Sequence, residues 1–207
     1  MQTNQSHQRE RLERENHHKN HPKDKWKRID AFPIPFFIIP VELDKIKVPY
    51  QSKDFKPTFE SGLETTYRHQ KVPDETYAYL RSVIAPAITS FGDPWSTMKF
   101  VDLWRNRYTK RDYQSAHIHP KVQWSFIIYE DVTSNTVFIN PANDLIQNQS
   151  HVDTGPSNTV WKPKIEAGNM VLFPSWVSHM VVPGNEGHTI AGNIKLTDSS
   201  NLKRLYE

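Results

Sequence analysis

From residue 96 onward the chain runs in short stretches whose residue character alternates with a period of two, separated by turn-forming residues. Side chains leave a strand on alternate faces, so each such stretch reads as a strand with two distinct sides. MKFVDLWRNRY sets Phe100, Asp102, Trp104, Asn106 and Tyr108 on one face, with Arg105 and Arg107 on the other. WSFIIY sets Ser125, Ile127 and Tyr129 opposite Trp124, Phe126 and Ile128. NTVFINP, NMVLFP and HTIAGNIKL continue the series, and TKRDYQS and residues 142–159 read as loops. Upstream, PIPFFIIPVEL reads as an edge strand, because its prolines cannot donate to the interior of a ladder. Residues 73–92 carry the best helical period, with Leu80, Val83, Ile84 and Ala87 on one side. Pro73 and Asp74 open this helix, Gly92 closes it, and Pro86 is expected to kink or split it. Many short strands after one helix predict a mostly β fold, a sandwich or jelly roll with one or two flanking helices.

Only 36% of residues are hydrophobic, but six Trp, eight Tyr and ten Phe provide large side chains for a β-rich core. The absence of cysteine excludes disulfides, zinc knuckles and thiol chemistry. The longest apolar run, FPIPFFIIPV, is too short and too rich in proline to span a membrane, so a cytoplasmic setting in the host or producing cell is expected. Charge is unevenly placed. Residues 1–30 hold eight Lys/Arg and five Asp/Glu, which accounts for the whole formal charge of +3. Residues 1–28 also hold four histidines and almost no apolar side chains, so they read as a basic, His-rich arm of the disordered type. This arm would solvate freely or dock a protein assembly partner, an acidic surface or a nucleic acid. Residues 29–207 read as one domain, for which a homo-oligomer is compatible.

HIHP at 117–120 and FPSWVSH at 173–179 carry the chemistry. On a strand, His117 and His119 share a face, and His179 comes after a stretch that reads as buried. Imidazole is largely neutral at neutral pH and is the commonest metal ligand, so three from two strands form a candidate metal site. The intervals HxH and Gly168-x₅-Pro174-x₄-His179 match the grammar of the double-stranded β-helix, the cupin-like jelly roll. The carboxylate position of that grammar is held by Gln123, a weak neutral ligand. Trp104, Tyr108 and Tyr129 are candidates to line a pocket, whereas Trp124 and Trp176 read as core. His69 and His151 read as surface residues, and Asp112 and Asp153 as turn caps.

LWRNRYTKRDYQSAHIHPKVQWSFIIYEDV, VLFPSWVSHMVVP and a terminal strand with GNIKL together resemble the small iron(II)/2-oxoglutarate oxygenases common in marine phage and bacterial genomes. The resemblance covers about residues 99–196. It implies Fe(II) and 2-oxoglutarate as cofactors, with His117 and His179 as iron ligands and His119 where such proteins usually place Asp or Glu. It implies no catalytic residue beyond the ligands. The family's last strand usually opens with an arginine that pairs with the far carboxylate of 2-oxoglutarate, and Gly187 stands there. By parity Thr189, Asn193 and Lys195 share that strand face, and with Tyr129 they are the candidate cofactor-binding residues, Lys195 as the substitute cation. His188, Arg105 and Arg107 lie on the wrong face.

Three functions are expected as alternatives. The first is a non-haem iron oxygenase hydroxylating an unknown substrate. The second is a catalytically silent jelly roll, such as a phage virion component located in the particle and docked by the arm. The third is a cupin-type metalloenzyme that works without 2-oxoglutarate.

Overall fold

The computed structural model describes residues 34–48, 52–58, 61–67, 72–92, 95–144, 159–184 and 186–197. Residues 1–28, read above as an arm, and His69, His151 and Asp153 lie outside the described residues. All described residues belong to the unit Ile34–Glu207.

The strands are β1 (Phe37–Pro40), β2 (Lys56–Pro57), β3 (Glu64–Thr65), β4 (Thr97–Tyr108), β5 (Gln114–His117), β6 (Trp124–Tyr129), β7 (Thr136–Ile139), β8 (Val160–Trp161), β9 (Asn169–Pro174), β10 (His179–Val181) and β11 (Gly187–Thr197). They form two antiparallel sheets, a large one of order β1-β9-β6-β11-β4-β3-β2 and a small one of order β5-β10-β7-β8. This is the jelly roll expected from the alternation. The proline-flanked strand β1 sits at the edge of the large sheet, pairing β9 alone.

The helix α1 spans Asp74–Phe91 and lies against one face of the large sheet. Its buried residues Thr76, Leu80, Ile84 and Ile88 recur every four positions, the spacing that stacks side chains on one helical face. Gly92 closes it in the left-handed region at φ 91°, which a glycine adopts without steric cost. Pro86 does not split it: the helix is continuous through that position.

Helix and small sheet sandwich the large sheet, so β6, β9 and β11 are buried on both faces. Trp124, Phe126, Ile128, Met170, Leu172, Ile190 and Ile194 pack toward α1. Ile127, Tyr129, Val171, Phe173 and Ala191 pack toward the small sheet. The two faces of WSFIIY are therefore those read from parity. β4 departs from parity at one point. Asn193 pairs Asp102 but Ile194 pairs Phe100, which leaves Val101 as an extra residue. This bulge turns Phe100 to the helix side, where it packs with the core, while Asp102, Trp104, Asn106 and Tyr108 keep the opposite face.

Arg105 points to the helix side of β4. Its guanidinium donates two hydrogen bonds to Glu130, each of 2.6 Å, and a third of 2.8 Å to the Val48 carbonyl. A buried arginine so fully paired is a strut that ties the segment ending at Val48 to the sheet. No helix among the described residues is long and apolar enough to cross a membrane.

Ile84 is fully buried between α1 and the sheet. Ile84→Ala should cost about 2–5 kcal/mol in urea unfolding, the usual range for emptying such a site. It should leave metal binding intact, because the helix layer lies across the sheet from the histidines.

Candidate metal centre

The small sheet brings the first two histidines together. His117 ends β5 and pairs across the ladder with His179, which opens β10. Their ring centroids are 4.4 Å apart. His119 lies two residues beyond the end of β5, in the turn, and not on the strand as the spacing predicts. Its backbone N–H donates to the Ser175 carbonyl at 3.0 Å, which pins the turn to the loop after β9. The His119 ring then stands 5.2 Å from that of His117 and 5.1 Å from that of His179. Ligand atoms of all three lie within 4.8 Å of one another, and no carboxylate among the described residues joins them.

The loop that delivers His179 follows the Gly168-x₅-Pro174 spacing. Gly168 enters β9 at φ 79°. β9 ends at Pro174, whose carbonyl accepts the Val177 N–H in a tight turn, and β10 begins two residues later.

Hydrogen bonds set the imidazoles up as ligands. His117 Nδ1 lies 2.8 Å from the Ser115 carbonyl and His179 Nδ1 lies 3.1 Å from the Val177 carbonyl. A carbonyl only accepts, so each Nδ1 carries the hydrogen and each Nε2 keeps a free lone pair. The His119 ring is hydrogen-bonded by the Asn193 side chain, and its Nε2 is buried with no partner. Burial, with the neighbouring His117 imidazole, pushes His119 down to about 4. Burial, with His117 and then His119, pushes His179 down to about 3. These two rings are therefore neutral at ordinary pH. An orphaned buried nitrogen beside two lone pairs of fixed tautomer suits a divalent transition metal, and the residues fit iron.

The centre opens into a cavity of about 620 Å³. The candidate cofactor residues Tyr129, Thr189, Asn193 and Lys195 all line it, as do Trp104 and Tyr108. Trp104 stacks on His119 at 6.0 Å and 17°. Asn193 is buried, and its Oδ1 accepts from Ser125 Oγ at 2.9 Å. Spacing alone could not show its contact with His119, because the two lie in separate parts of the fold. Lys195 is exposed, near the opposite end of β11 from Gly187.

Several expectations need correction. Gln123 does not reach the histidines: it is exposed, and its Oε1 accepts the Leu196 N–H at 2.8 Å, capping the edge of the ladder. Trp176 is exposed, not core, whereas Trp124 is core. Gly187 leaves no room for an arginine side chain. It sits at φ 143°, and a Cβ there would run into Val132 Cγ1 and Asp131 Oδ1. His188, Arg105 and Arg107 pair with Asp131, Glu130 and Glu64, outside the cavity lining. Asp112 does cap a turn, accepting the Thr109 N–H at 2.6 Å.

Residues 102–190 match the family described as Putative 2OG-Fe(II) oxygenase. That stretch is 89 of the chain's 207 residues, and over it the chain is similar to the 2OG-Fe(II) oxygenases. The match contains every histidine of the centre. Among curated proteins none matches the sequence. Solved structures similar to this chain include a 2OG-Fe(II) oxygenase family oxidoreductase from Burkholderia pseudomallei, at 10% identity and TM-score 0.49, covering 77% of this chain and 85% of that one. A prolyl-4-hydroxylase from Pseudomonas putida aligns at 15% identity and TM-score 0.48, covering 71% and 80%. HygX from Streptomyces hygroscopicus, solved with nickel, 2-oxoglutarate and hygromycin B, aligns at 13% identity and TM-score 0.48, covering 79% and 83%.

Neutral burial of His119 and His179 makes the metal-free protein acid-sensitive. Both titrate near 6.5 when unfolded and well below it when folded, so between these values the unfolded chain holds more protons. Stability should therefore fall as pH drops from 6.5 towards 3 and level off below. Urea midpoints measured across this range check it. His119→Gln and His179→Gln should flatten the slope, and an unchanged slope in both would refute the assignment.

Proposed function

We propose that this chain is a hydroxylase within its family, with Fe(II) held by His117, His119 and His179. The observation that supports the reading is the convergence of three imidazoles on one point beside a cavity, two with Nδ1 tied to a carbonyl and one with a buried, unpartnered Nε2. Ferrous iron with 2-oxoglutarate and O₂ would supply the oxidising power there, the 2-oxo acid leaving as succinate and CO₂. Three protein ligands leave further positions free for 2-oxoglutarate and O₂.

The chain's own residues orient and dry this centre. The Ser115 and Val177 carbonyls hold two rings in the tautomer that offers Nε2. Asn193, fixed in turn by Ser125, steadies the third. Phe173 and Phe138 pack against the His179 ring at 4.9 and 5.9 Å and exclude water from its side of the site. Tyr129 and Thr189 would receive 2-oxoglutarate, and Lys195 is left at the other end of β11. The substrate enters past Val101 and Ile118, which line the cavity and are 44% and 49% exposed.

Protein purified without a His-tag should carry one divalent metal and release succinate from 2-oxoglutarate. Changing any of His117, His119 or His179 to Ala should lower metal content and abolish succinate release while circular dichroism stays unchanged. Gln123→Ala should retain both. Full metal content in all three histidine variants would sink the reading.

Residues 1–28 are, in the same reading, a docking arm, with eight Lys/Arg against four Asp/Glu. Its deletion should leave the melting temperature and metal content unchanged and remove any salt-sensitive association with an acidic partner or nucleic acid. Association that survives deletion and ignores salt would place the contact on the jelly roll.

A further inference from the structure

The cavity continues past the histidines to an inner end made of hydroxyl groups. On β10, Val181 lies two residues beyond His179, about 7 Å along a strand. Across the ladder, Thr136 pairs Val181 as Phe138 pairs His179. Tyr129 and Thr189 face each other on β6 and β11, and Tyr108 pairs Gly187 on β4. Tyr108, Tyr129, Thr136 and Thr189 are each less than a tenth exposed, and all four line the cavity.

These groups form an ordered donor set. Ser134 Oγ accepts the Thr136 N–H at 3.1 Å and donates to the Tyr129 phenol oxygen at 2.9 Å. Tyr129 and Thr136 share one further hydrogen bond of 2.8 Å. Whichever of the two donates it, the other keeps a hydroxyl hydrogen to offer. The Tyr108 phenol is hydrogen-bonded by Thr189, whose Oγ1 also accepts from Asn106 Nδ2 at 3.4 Å. Burial raises both phenols, so they remain protonated.

Among the described residues no cationic side chain stands with them. Gly187 occupies the place where an arginine would reach in, and Val132 and Asp131 close it. Among the described residues, the Lys and Arg side chains lining the cavity are Lys121 and Lys195. Lys195 is six residues from Thr189, about 20 Å along β11, too far for one five-carbon acid to touch both. The nearby charges are carboxylates: Asp112 lines the cavity close enough to Tyr108 to raise it, and Asp131 lies against Gly187. A second carboxylate placed here gains hydrogen bonds but no opposite charge, and part of that gain is offset by like-charge repulsion.

We propose that this inner end is an uncharged subsite, in which Tyr108, Tyr129, Thr136 and Thr189 receive the distal end of a 2-oxo acid, so that the enzyme takes 2-oxo acids with neutral distal ends as readily as 2-oxoglutarate. The inference rests on the reading of the three histidines as the metal centre. That centre fixes the 1-carboxylate and 2-oxo end of the acid, and the hydroxyls select the group at its far end.

The test is a binding titration of the full chain loaded with Mn(II), without oxygen. The ligands are 2-oxoglutarate and its 5-methyl ester, which keeps the hydrogen-bond acceptors and loses the charge. The two dissociation constants should agree within about tenfold, where a buried arginine pair would separate them by about a hundredfold or more. Thr136→Val and Tyr129→Phe should weaken both acids alike, and Lys195→Ala should change neither. A preference for 2-oxoglutarate above about a hundredfold, or its loss in Lys195→Ala, would overturn the inference whether or not the tyrosine variant folds. Failure of both acids to bind, with metal retained, would overturn this reading and the oxygenase mechanism together. Tight binding of 2-oxoglutarate alone would overturn only this one.

Discussion

The antiparallel pairing of β10 with β5, which sets His179 opposite His117, is the contact on which the centre depends. The two rings come close enough to share one ion only because their backbones are hydrogen-bonded neighbours. The same pairing places His179 under the large sheet, where burial removes the water that would stabilise its charged imidazole. Neutral nitrogen lone pairs gathered without counter-charge are an unfavourable arrangement for a folded chain and a favourable one for a metal. Binding the ion relieves the cost that folding incurs, so metal affinity and fold are linked.

One irregularity in the large sheet shapes the rest of the site. Without the bulge at Val101, β4 would carry Phe100 and Asp102 on the same face. With it, Phe100 joins the helix-side core, and Val101 is turned out to the cavity mouth. A single extra residue thus serves two demands, a continuous core under α1 and an apolar rim for whatever enters. The strut from Arg105 to Glu130 and Val48 lies on the core side of the same strand. It consumes a guanidinium that, on the other face, would have charged the cavity.

The histidine centre and the inner end of the cavity are accordingly built from neutral groups, with Asp112 beside the inner end and Lys195 near the opposite end of β11. The candidate metal ligands are three imidazoles, joined by no carboxylate among the described residues, so they would not neutralise the charge of a divalent ion. The inner end offers hydroxyls in place of a guanidinium. In the proposed reading these two departures would compensate in part, since an ion of undiminished charge would attract the proximal carboxylate of a 2-oxo acid more strongly, while the distal end would be held less strongly.

The strand series after residue 96, the amphipathic helix and the edge position of β1 were legible in the sequence because they depend on local side-chain period and on proline chemistry. The two faces of WSFIIY and the shared face of Thr189, Asn193 and Lys195 were legible for the same reason. The histidines could be singled out because HxH and Gly-x₅-Pro-x₄-His are patterns of chain direction. Their convergence was not written there, since His119 lies in a turn whose path is set by a hydrogen bond to Ser175, more than fifty residues away. The bulge at Val101 comes from the register of β11, which period-two reasoning along β4 cannot contain. Gln123 looked like a ligand by spacing and became a ladder cap because the end of β11 passes beside it. Gly187 is closed to a side chain only because Asp131 and Val132, from another turn, fill the space. Residue type and period act within one segment. Which lone pairs and hydroxyls face a common cavity depends on strand register between segments, and that only tertiary structure decides.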